Sequence, residues 1–238
     1  GTPFYDNGQT DEGRAVVHLG SAAGLSTTAH WTTESDQADA NAGSSVASAG
    51  DVNNDGFSDV VIGTPLWDNG STDEGRVQIA RGGATGLTII HQSYESNATN
   101  HQRGTSVGCA GDVNGDGFSD VIVGSPLSSN GLALILSGSA AGISGSFQTL
   151  NGPQVNARFG RSVSSAGDVN GDGFSDVLVG AYLHDNPLTN EGRAYCHLGA
   201  PASINAAPEH TLVGPNTFGR SVSSAGDVNG DGYGDVVI

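Results

Sequence analysis

Hydrophobic residues in this chain occur in short runs of strand length, separated by small and polar residues. Three of the runs are continuous: Val60–Ile62, Val121–Val123 and Val177–Val179. No window repeats apolar residues at intervals of three and four, the spacing that an amphipathic helix requires. Short apolar runs bounded by glycine-rich turns are typical of strands. The pattern therefore predicts an all-β protein.

Each of these runs follows nearly the same acidic stretch, which is DVNNDGFSDV in its first copy. The copies begin at Asp51, Asp112, Asp168 and Asp227, at intervals of 61, 56 and 59 residues. The rest of the unit recurs as well, since the opening GTPFYDNGQTDEGR returns one unit later as GTPLWDNGSTDEGR. A fixed period of this length is typical of a repeat protein, and no residue is left over for a separate domain. The repeat units are 1–62, 63–123, 124–179 and 180–238.

Each unit predicts four antiparallel strands. A strand of small residues precedes the acidic stretch, the apolar run follows it, a third strand comes after a glycine-containing turn, and a fourth is more weakly marked. A continuous apolar strand is expected where both sheet faces are covered, as between neighbouring blades. The fixed period and the repeated turn chemistry favour a β-propeller of four-stranded antiparallel blades over a sandwich. Small residues in the first strand suit the crowded central channel.

The ends of the chain predict how these blades are completed. The chain begins at GTP and ends at DVVI, which are contiguous within Asp59–Pro65. The prediction is therefore four repeats with one blade split between the N- and C-termini, residues 1 to about 35 supplying two strands and about 217 to 238 the other two. Three arrangements remain open: a closed four-bladed ring, ends that pair with other copies of the chain, and a segment of a longer protein. Unpaired strand edges would otherwise be adhesive.

Composition narrows the classes of partner. The formal charge is −17, with 8 basic against 25 acidic residues, which argues against nucleic acid because phosphates need a clustered basic surface. Apolar runs fall far below the roughly 20 residues that cross a bilayer, so we expect no membrane insertion. No secretory signal pattern is present, and the absence of methionine suggests a processed or excised segment. Cys109 and Cys196 stand where other units have serine, valine or isoleucine, which predicts small buried side chains without a disulfide.

The acidic stretch has the form DxNxDGxxD, which places side-chain oxygens at positions 1, 3, 5 and 9. Glycine at position 6 permits the sharp turn that folds them around one point. A hard cation that takes six to eight oxygens fits this set, with the backbone carbonyl of position 7 and water completing the shell. We expect about four Ca²⁺ ions, one per repeat. The predicted ligands are Asp51, Asn53, Asp55, Phe57, Asp59, Asp112, Asn114, Asp116, Phe118, Asp120, Asp168, Asn170, Asp172, Phe174, Asp176, Asp227, Asn229, Asp231, Tyr233 and Asp235.

An EF-hand begins with the same six positions and is the competing interpretation. Its loop needs a bidentate glutamate at position 12 and a helix on each side. The residues at position 12 are Ile62, Val123, Val179 and Ile238. Apolar strand residues cannot close that shell, so the EF-hand is rejected.

These motifs together resemble the FG-GAP repeat of integrin alpha-subunit propellers and related bacterial secreted proteins. The resemblance rests on FGRSV, DVNGDGFSD and the VGxP pattern, and it covers the whole chain. The FG positions are Phe159-Gly160, Phe218-Gly219, Ala42-Gly43 and Arg103-Gly104. The resemblance implies a propeller, usually of seven blades, whose calcium loop joins the first two strands of a blade. Extracellular modules bind calcium at roughly 10⁻⁴ to 10⁻³ M, so we expect an extracellular or cell-surface location.

No grouping of residues predicts catalysis, so we do not expect an enzyme. The GxSxG match at 104–108 falls within a predicted strand, not between a strand and a helix. A better candidate is the loop between the second and third strands, where a ring precedes an aspartate and an asparagine. Such a set could stack on a sugar and bond its hydroxyls, although DNG also simply turns a chain. The candidate ligand-binding residues are Tyr5, Asp6, Asn7, Trp67, Asp68, Asn69, His184, Asp185 and Asn186.

Three functions fit these features. The preferred one is a non-catalytic, calcium-stabilised extracellular propeller for adhesion or recognition, with a protein or glycan ligand. The second is a structural, self-assembling protein whose blades are completed between chains, other copies of the chain then being its partners. The third is an accessory domain of a secreted enzyme, which rests on analogy alone.

Overall fold

The structure of the chain is a computed structural model, and it describes residues 1–88, 90–145, 147–185 and 189–238. All of its regular secondary structure in these ranges consists of β-strands. None of the described residues is helical, so the all-β prediction is confirmed and no helix among them could span a bilayer. The strands are β1 (Arg14–Val17), β2 (Gly20–Ser21), β3 (Gly24–Leu25), β4 (Trp31–Glu34), β5 (Ser45–Gly50), β6 (Asp59–Thr64), β7 (Arg76–Ala80), β8 (Ile90–Glu95), β9 (Ser106–Gly111), β10 (Asp120–Ser125), β11 (Leu132–Leu136), β12 (Phe147–Asn151), β13 (Ser162–Gly167), β14 (Asp176–Ala181), β15 (Arg193–His197), β16 (Gly199–Ala200), β17 (Ser203–Ile204), β18 (His210–Val213), β19 (Ser223–Gly226) and β20 (Asp235–Val237).

Three complete four-stranded antiparallel sheets lie between two half-sheets. Their orders are β5-β6-β7-β8, β9-β10-β11-β12 and β13-β14-β15-β18. The N-terminal half-sheet, β1 with β4, holds the third and fourth strands of a unit, and the C-terminal half-sheet, β19 with β20, holds the first and second. Four antiparallel strands per sheet are thus confirmed. The half-sheets are hydrogen-bonded as separate sheets, so a closed ring with a split blade stays a prediction.

Two short hairpins were not predicted from the sequence. They are β2 with β3 and β16 with β17, each of two residues per strand. Both lie between the third and fourth strands of a unit. Strands this short leave too few positions for an alternating pattern to be recognised.

The first strands of successive units stand side by side, because β5 packs against β9, β9 against β13 and β13 against β19. The second strands of the three complete sheets are almost entirely buried. Every residue of β10 and β14 is buried, as predicted for strands covered on both faces. By contrast, β20 has no third strand beside it in its sheet and is partly exposed.

A line of glycines joins neighbouring units, and we call it the glycine seam (Gly43, Gly63, Gly104, Gly124, Gly160, Gly180 and Gly219). Within a sheet, the amide of Gly104 donates to the carbonyl of Gly124 at 3.1 Å, and Gly160 donates to Gly180 at 3.0 Å. Between neighbouring sheets, a Cβ added to Gly124 would lie 2.9 Å from the carbonyl carbon of Gly160 and closer still to its oxygen. The seam glycines of the FG positions and those in the second strands therefore set how closely two sheets approach.

Candidate metal centres

The four acidic loops join the first and second strands of each unit: β5 to β6, β9 to β10, β13 to β14 and β19 to β20. Each first strand ends in a bulge, where the pairing register shifts. A glycine with positive φ completes each bulge: Gly50 (+74°), Gly111 (+81°), Gly167 (+78°) and Gly226 (+72°). Glycine adopts this conformation without a side-chain penalty, and a bulge increases local twist. The bulge therefore turns the chain into the loop.

The loop between β9 and β10 illustrates the hydrogen bonding. Asp112, at position 1, accepts from the amide of Asp116 through Oδ1 (3.1 Å) and from Gly117 through Oδ2 (2.9 Å). Asp116, at position 5, accepts from Asn114 Nδ2 at 3.0 Å and from the Phe118 amide at 3.0 Å. Gly117, at position 6, has a φ of +86°. The same bonds recur in the other three loops, so the loops share one internal scaffold.

The aspartate at position 9 ties each loop to the sheet. Asp120 is fully buried, accepts from the Val113 amide through Oδ2 (3.0 Å) and accepts from the Gly138 amide through Oδ1 (2.9 Å). Gly138 follows the third strand, so this one side chain fastens the loop to two strands. Asp59 and Asp176 repeat both bonds. Asp235 has only the first type, from Val228 at 2.8 Å.

Burial makes the position 9 carboxylates of the three complete sheets costly to ionise. It raises the pKa of Asp120 to about 6, and the charges of Asp116 and Asp112 add to the rise while the two amide bonds oppose it. The pKa values of Asp59 and Asp176 are raised by the same causes. Like charges that are brought close disfavour ionisation. A divalent cation would relieve this repulsion.

Neighbouring acidic loops are hydrogen-bonded to each other. The amide at position 8 of one loop donates to the position 1 carbonyl of the loop before it: Ser119 to Asp51 (3.1 Å), Ser175 to Asp112 (2.9 Å) and Gly234 to Asp168 (2.7 Å). The four loops therefore lie in one row along the same edge of the sheets. Sequence spacing alone did not predict these bonds, because they join residues more than 60 positions apart.

The donor chemistry of each loop fits a hard cation. Carboxylate and amide oxygens at positions 1, 3 and 5 are half-buried or exposed, and such oxygens suit Ca²⁺ and Mg²⁺. Among the described residues, however, the three carboxylates of one loop do not all come within 4.8 Å of each other. A cation shell there would need the asparagine oxygen and the position 7 carbonyl, or carboxylates turned away from their amide partners.

The loops between second and third strands lie at the opposite end of the sheets. The guanidinium carbon of Arg76 lies 3.4 Å from the centre of the Trp67 ring, and Trp67 Nε1 donates to Glu95 Oε1 at 3.1 Å. Asn69 Nδ2 donates to Glu95 Oε2 at 2.8 Å. Asp68 Oδ1 accepts from the amide of a residue later in the same loop at 2.6 Å. The predicted sugar-binding groups of this unit are therefore in contact with their own sheet.

The N-terminal unit repeats this arrangement. Arg14 lies 3.8 Å from the centre of the Tyr5 ring, and Asn7 Nδ2 donates to Glu34 at 2.8 Å. Asp6 accepts from an amide of its own loop at 2.7 Å and is exposed. Ligand binding by these residues stays a prediction.

The fourth unit differs at the ring position. His184 is buried, and its pKa is lowered mainly by burial. Asp185 is exposed and accepts from the Asn190 amide at 2.6 Å. Asn186, the last of the predicted ligand-binding residues, lies outside the described residues.

Two glutamines link these loops between units, and sequence analysis missed them. Gln37 donates through Nε2 to the Asp68 carbonyl and accepts through Oε1 from the Asp68 amide, both at 2.8 Å. Gln154 makes the same pair with Asp185, at 3.1 and 2.7 Å. One feature of the sequence could have revealed them, since each glutamine lies six residues before the glycine of an FG position. A lone polar residue in a loop has no periodic pattern to reveal it.

Both cysteines are free. Cys196 is buried, as predicted, and burial raises its pKa to about 12. Cys109 is only half-buried, because its Sγ faces the bulge and accepts from the Gly111 amide at 3.3 Å. In the first unit Ser48 accepts from Gly50 in the same way, so the cysteine takes the role of the serine it replaces.

Comparison with known proteins agrees with the repeat pattern. The family model of the FG-GAP repeat matches residues 42–79, 104–139, 159–195 and 218–238. Integrin alpha-V of Gallus gallus is 33% identical over 82% of this chain, integrin alpha-4 of Xenopus laevis 32% over 76%, and integrin alpha-2 of Mus musculus 32% over 71%. The matched part covers 20%, 18% and 16% of those proteins. The chain thus spans no more than a fifth of the relatives' length.

Proposed function

Since the chain belongs to the FG-GAP repeat family, we propose that it is a non-catalytic, calcium-stabilised β-propeller module that recognises an extracellular protein or glycan. Similarity to several integrin alpha subunits supports a role in adhesion or recognition at the cell surface. The observation that carries the cation part is the row of four acidic loops with one shared hydrogen-bond scaffold. A scaffold kept in every unit favours a common ligand.

Each proposed calcium site uses the oxygens at positions 1, 3, 5 and 9 and the carbonyl at position 7. In the second complete sheet these belong to Asp112, Asn114, Asp116, Phe118 and Asp120. Calcium would neutralise carboxylates whose mutual repulsion and burial raise the pKa at position 9. Because position 9 is bonded to the end of the third strand, bound calcium would stabilise the sheet as well as the loop.

Thermal unfolding in calcium and in chelator tests the cation sites. At tenfold above the dissociation constant each site contributes about 1.4 kcal/mol to the free energy of unfolding, and four contribute about 5 to 6 kcal/mol. Asp116→Asn keeps the shape of its side chain but removes one ligand charge, so we expect calcium to raise its Tm by about a quarter less than it raises the wild-type Tm. Glu209→Gln removes an exposed charge outside the loops and is the control. Equal Tm values of the wild type in chelator and in calcium would refute the cation sites.

The proposed recognition surface is the edge that carries the loops between second and third strands. Asp6, Asn7, Asp68, Asn69 and Asp185 are exposed there. The paired bonds from the two glutamines to neighbouring loops hold this edge together. A preorganised surface loses less entropy on binding, which supports a recognition role.

A binding screen tests recognition directly. The chain, immobilised in calcium, is exposed to a glycan array and to a panel of extracellular matrix proteins. We expect at least one specific ligand whose affinity falls in Asp68→Ala, with Glu209→Ala as the charge-matched control. No ligand in either panel, or equal affinity in both variants, would contradict the proposed surface.

Self-association is a second candidate, favoured by the complementary content of the two half-sheets. One holds the third and fourth strands of a unit and the other the first and second. At the C-terminal edge Val237 is 55% exposed, and an open apolar edge favours strand pairing. Light scattering in millimolar calcium tests this: a defined multiple of 23.8 kDa supports pairing between copies, and a monomer at high concentration refutes it.

A further inference from the structure

Three carboxylates converge at a place that belongs to none of the acidic loops. Glu12 lies just before β1, Glu34 ends β4 and Asp36 follows two residues later. One carboxylate oxygen of each lies within 4.8 Å of the other two. Strand pairing brings them together, because Arg14 lies opposite Glu34. We call these three residues the N-terminal carboxylate cluster.

The deepest member of the cluster is a buried acid with no partner. Glu12 is fully buried, and neither of its carboxylate oxygens has a hydrogen-bonding partner among the described residues. An ionised carboxylate removed from water is costly unless it is paired or binds a metal. Both other members of the cluster are acidic and increase the local negative charge.

The next unit contains the same buried glutamate, but with a basic neighbour. Glu74 is also fully buried, and its carboxylate oxygens, like those of Glu12, have no hydrogen-bonding partner among the described residues. Arg103 donates its backbone amide to the Glu74 carbonyl at 3.1 Å. Burial lowers the pKa of Arg103, and the negative charge of Glu74 partly offsets this by raising it. The corresponding residue beside Glu12 is Ala42, whose amide donates to the Glu12 carbonyl at 3.0 Å. The two sites therefore share a backbone, and they differ at one position, which is Ala42 in the first and Arg103 in the second.

Nearby basic residues do not replace that missing charge at Glu12. The Arg14 guanidinium stacks on Tyr5 at 3.8 Å. Arg76 stacks on Trp67 of its own unit. Burial lowers the pKa of Arg76, and the negative charge of Asp36 acts in the opposite direction. Arg76 thus offsets part of the charge at Asp36, the exposed end of the cluster. Among the described residues, no basic side chain is bonded to the buried end at Glu12.

We propose that the N-terminal carboxylate cluster binds one divalent cation, Ca²⁺, at a site separate from the acidic loops. Calcium binds oxygens at about 2.3 to 2.6 Å, so two ligands of one ion can be about 5 Å apart, which accommodates the observed spacing. Magnesium, at about 2.1 Å, demands near-ideal octahedral geometry and keeps several waters, whereas calcium accepts irregular sets of carboxylates. Exposure of Asp36 leaves room for water ligands. In this unit calcium replaces the guanidinium that the next unit supplies.

Counting bound calcium tests the site. Equilibrium dialysis followed by elemental analysis gives the number of Ca²⁺ ions per chain at saturation, and each variant is compared with the wild type. We expect Glu12→Gln and Ala42→Arg each to bind one ion fewer. Glu74→Gln, the same position in the next unit, should bind as many as the wild type. Because only the difference is used, the result does not depend on how many ions the acidic loops bind.

Thermal unfolding in chelator separates this site from a general loss of structure. We expect Ala42→Arg to raise the Tm in chelator, because the new guanidinium replaces the cation, and to reduce the further rise that calcium gives. Asp36→Asn, at the exposed end, should fold normally and bind the ion more weakly. Wild-type calcium counts at saturation in Glu12→Gln and Ala42→Arg would overturn the proposal, as would wild-type calcium affinity in Asp36→Asn or the loss of one ion in Glu74→Gln.

Discussion

Gly124→Ala tests whether the glycine seam sets the spacing between neighbouring sheets. The added methyl group would lie 2.9 Å from the carbonyl carbon of Gly160, closer still to its oxygen, and also against the hydroxyl of Ser106. That hydroxyl donates to the same Gly160 carbonyl at 2.9 Å. Backbone atoms of two sheets meet here, so no flexible side chain can move aside. The two sheets must separate.

The expected cost follows from this geometry. Overpacking in a well-packed interior costs about 1 to 3 kcal/mol, and backbone contacts favour the upper end of that range. Separation would also stretch the bond from the Ser106 hydroxyl to the Gly160 carbonyl, which is 2.9 Å long and joins the two sheets. We therefore expect a loss of about 3 kcal/mol in the free energy of unfolding. For a chain of this size that lowers the Tm by about 6 to 12 °C.

Thermal and urea unfolding of Gly124→Ala, in chelator, measure this cost apart from calcium binding. Gly20→Ala is the matched control, because a Cβ there has no atom within 4 Å. Gly63→Ala and Gly180→Ala occupy the same seam and should lose similar amounts. If Gly124→Ala unfolds at the temperature of Gly20→Ala, the seam does not control the packing of the sheets.

Two further predictions concern buried side chains. Burial lowers the pKa of His197 from its ordinary 6.5, so as pH falls through 6.5 the unfolded chain takes up the proton first and the folded state loses stability. Urea unfolding at about pH 7 and about pH 5 should show a smaller loss in His197→Gln than in the wild type, whereas an equal loss in His197→Gln and in His18→Gln, its exposed counterpart, would contradict it. Trp67→Phe keeps a ring for Arg76 and should lower the free energy of unfolding by about 1 kcal/mol. Trp67→Ala removes the stacking and should lower it by about 3 kcal/mol. Equal Tm values for the two variants would refute a stabilising role of the Trp67–Arg76 stacking.

The sequence was a sufficient guide to the units and their strands. The repeat period, the apolar runs after each acidic stretch and the turn glycines are local features, and local features determine where a strand begins and ends. Position 6 of the loop needed positive φ, and Gly117 has it. Cys109 was predicted as a buried residue because its aligned partners are serines, but the bulge leaves it half-buried. Exposure at one position depends on neighbours that a repeat alignment does not identify.

The acidic loops were predicted as candidate metal sites from spacing alone, and their four calcium ions stay a proposal. What spacing did not reveal is how the loops are anchored. Asp120 is fastened to the amide of Gly138 beyond the third strand, and Ser119 is fastened to the preceding loop at Asp51. Hydrogen bonds between residues so far apart depend on sheet register and on the packing of neighbouring units.

By itself, the sequence determined an all-β chain of four repeated units and the candidate loops in each, because these depend on short-range pattern and turn chemistry. Only the tertiary structure decided which distant side chains meet. Glu12 and Glu34 are 22 positions apart in the sequence, yet strand pairing brings their carboxylates together, with Ala42 where the next unit has Arg103. Whether a buried charge is compensated depends on which distant side chains the tertiary structure brings into contact with it.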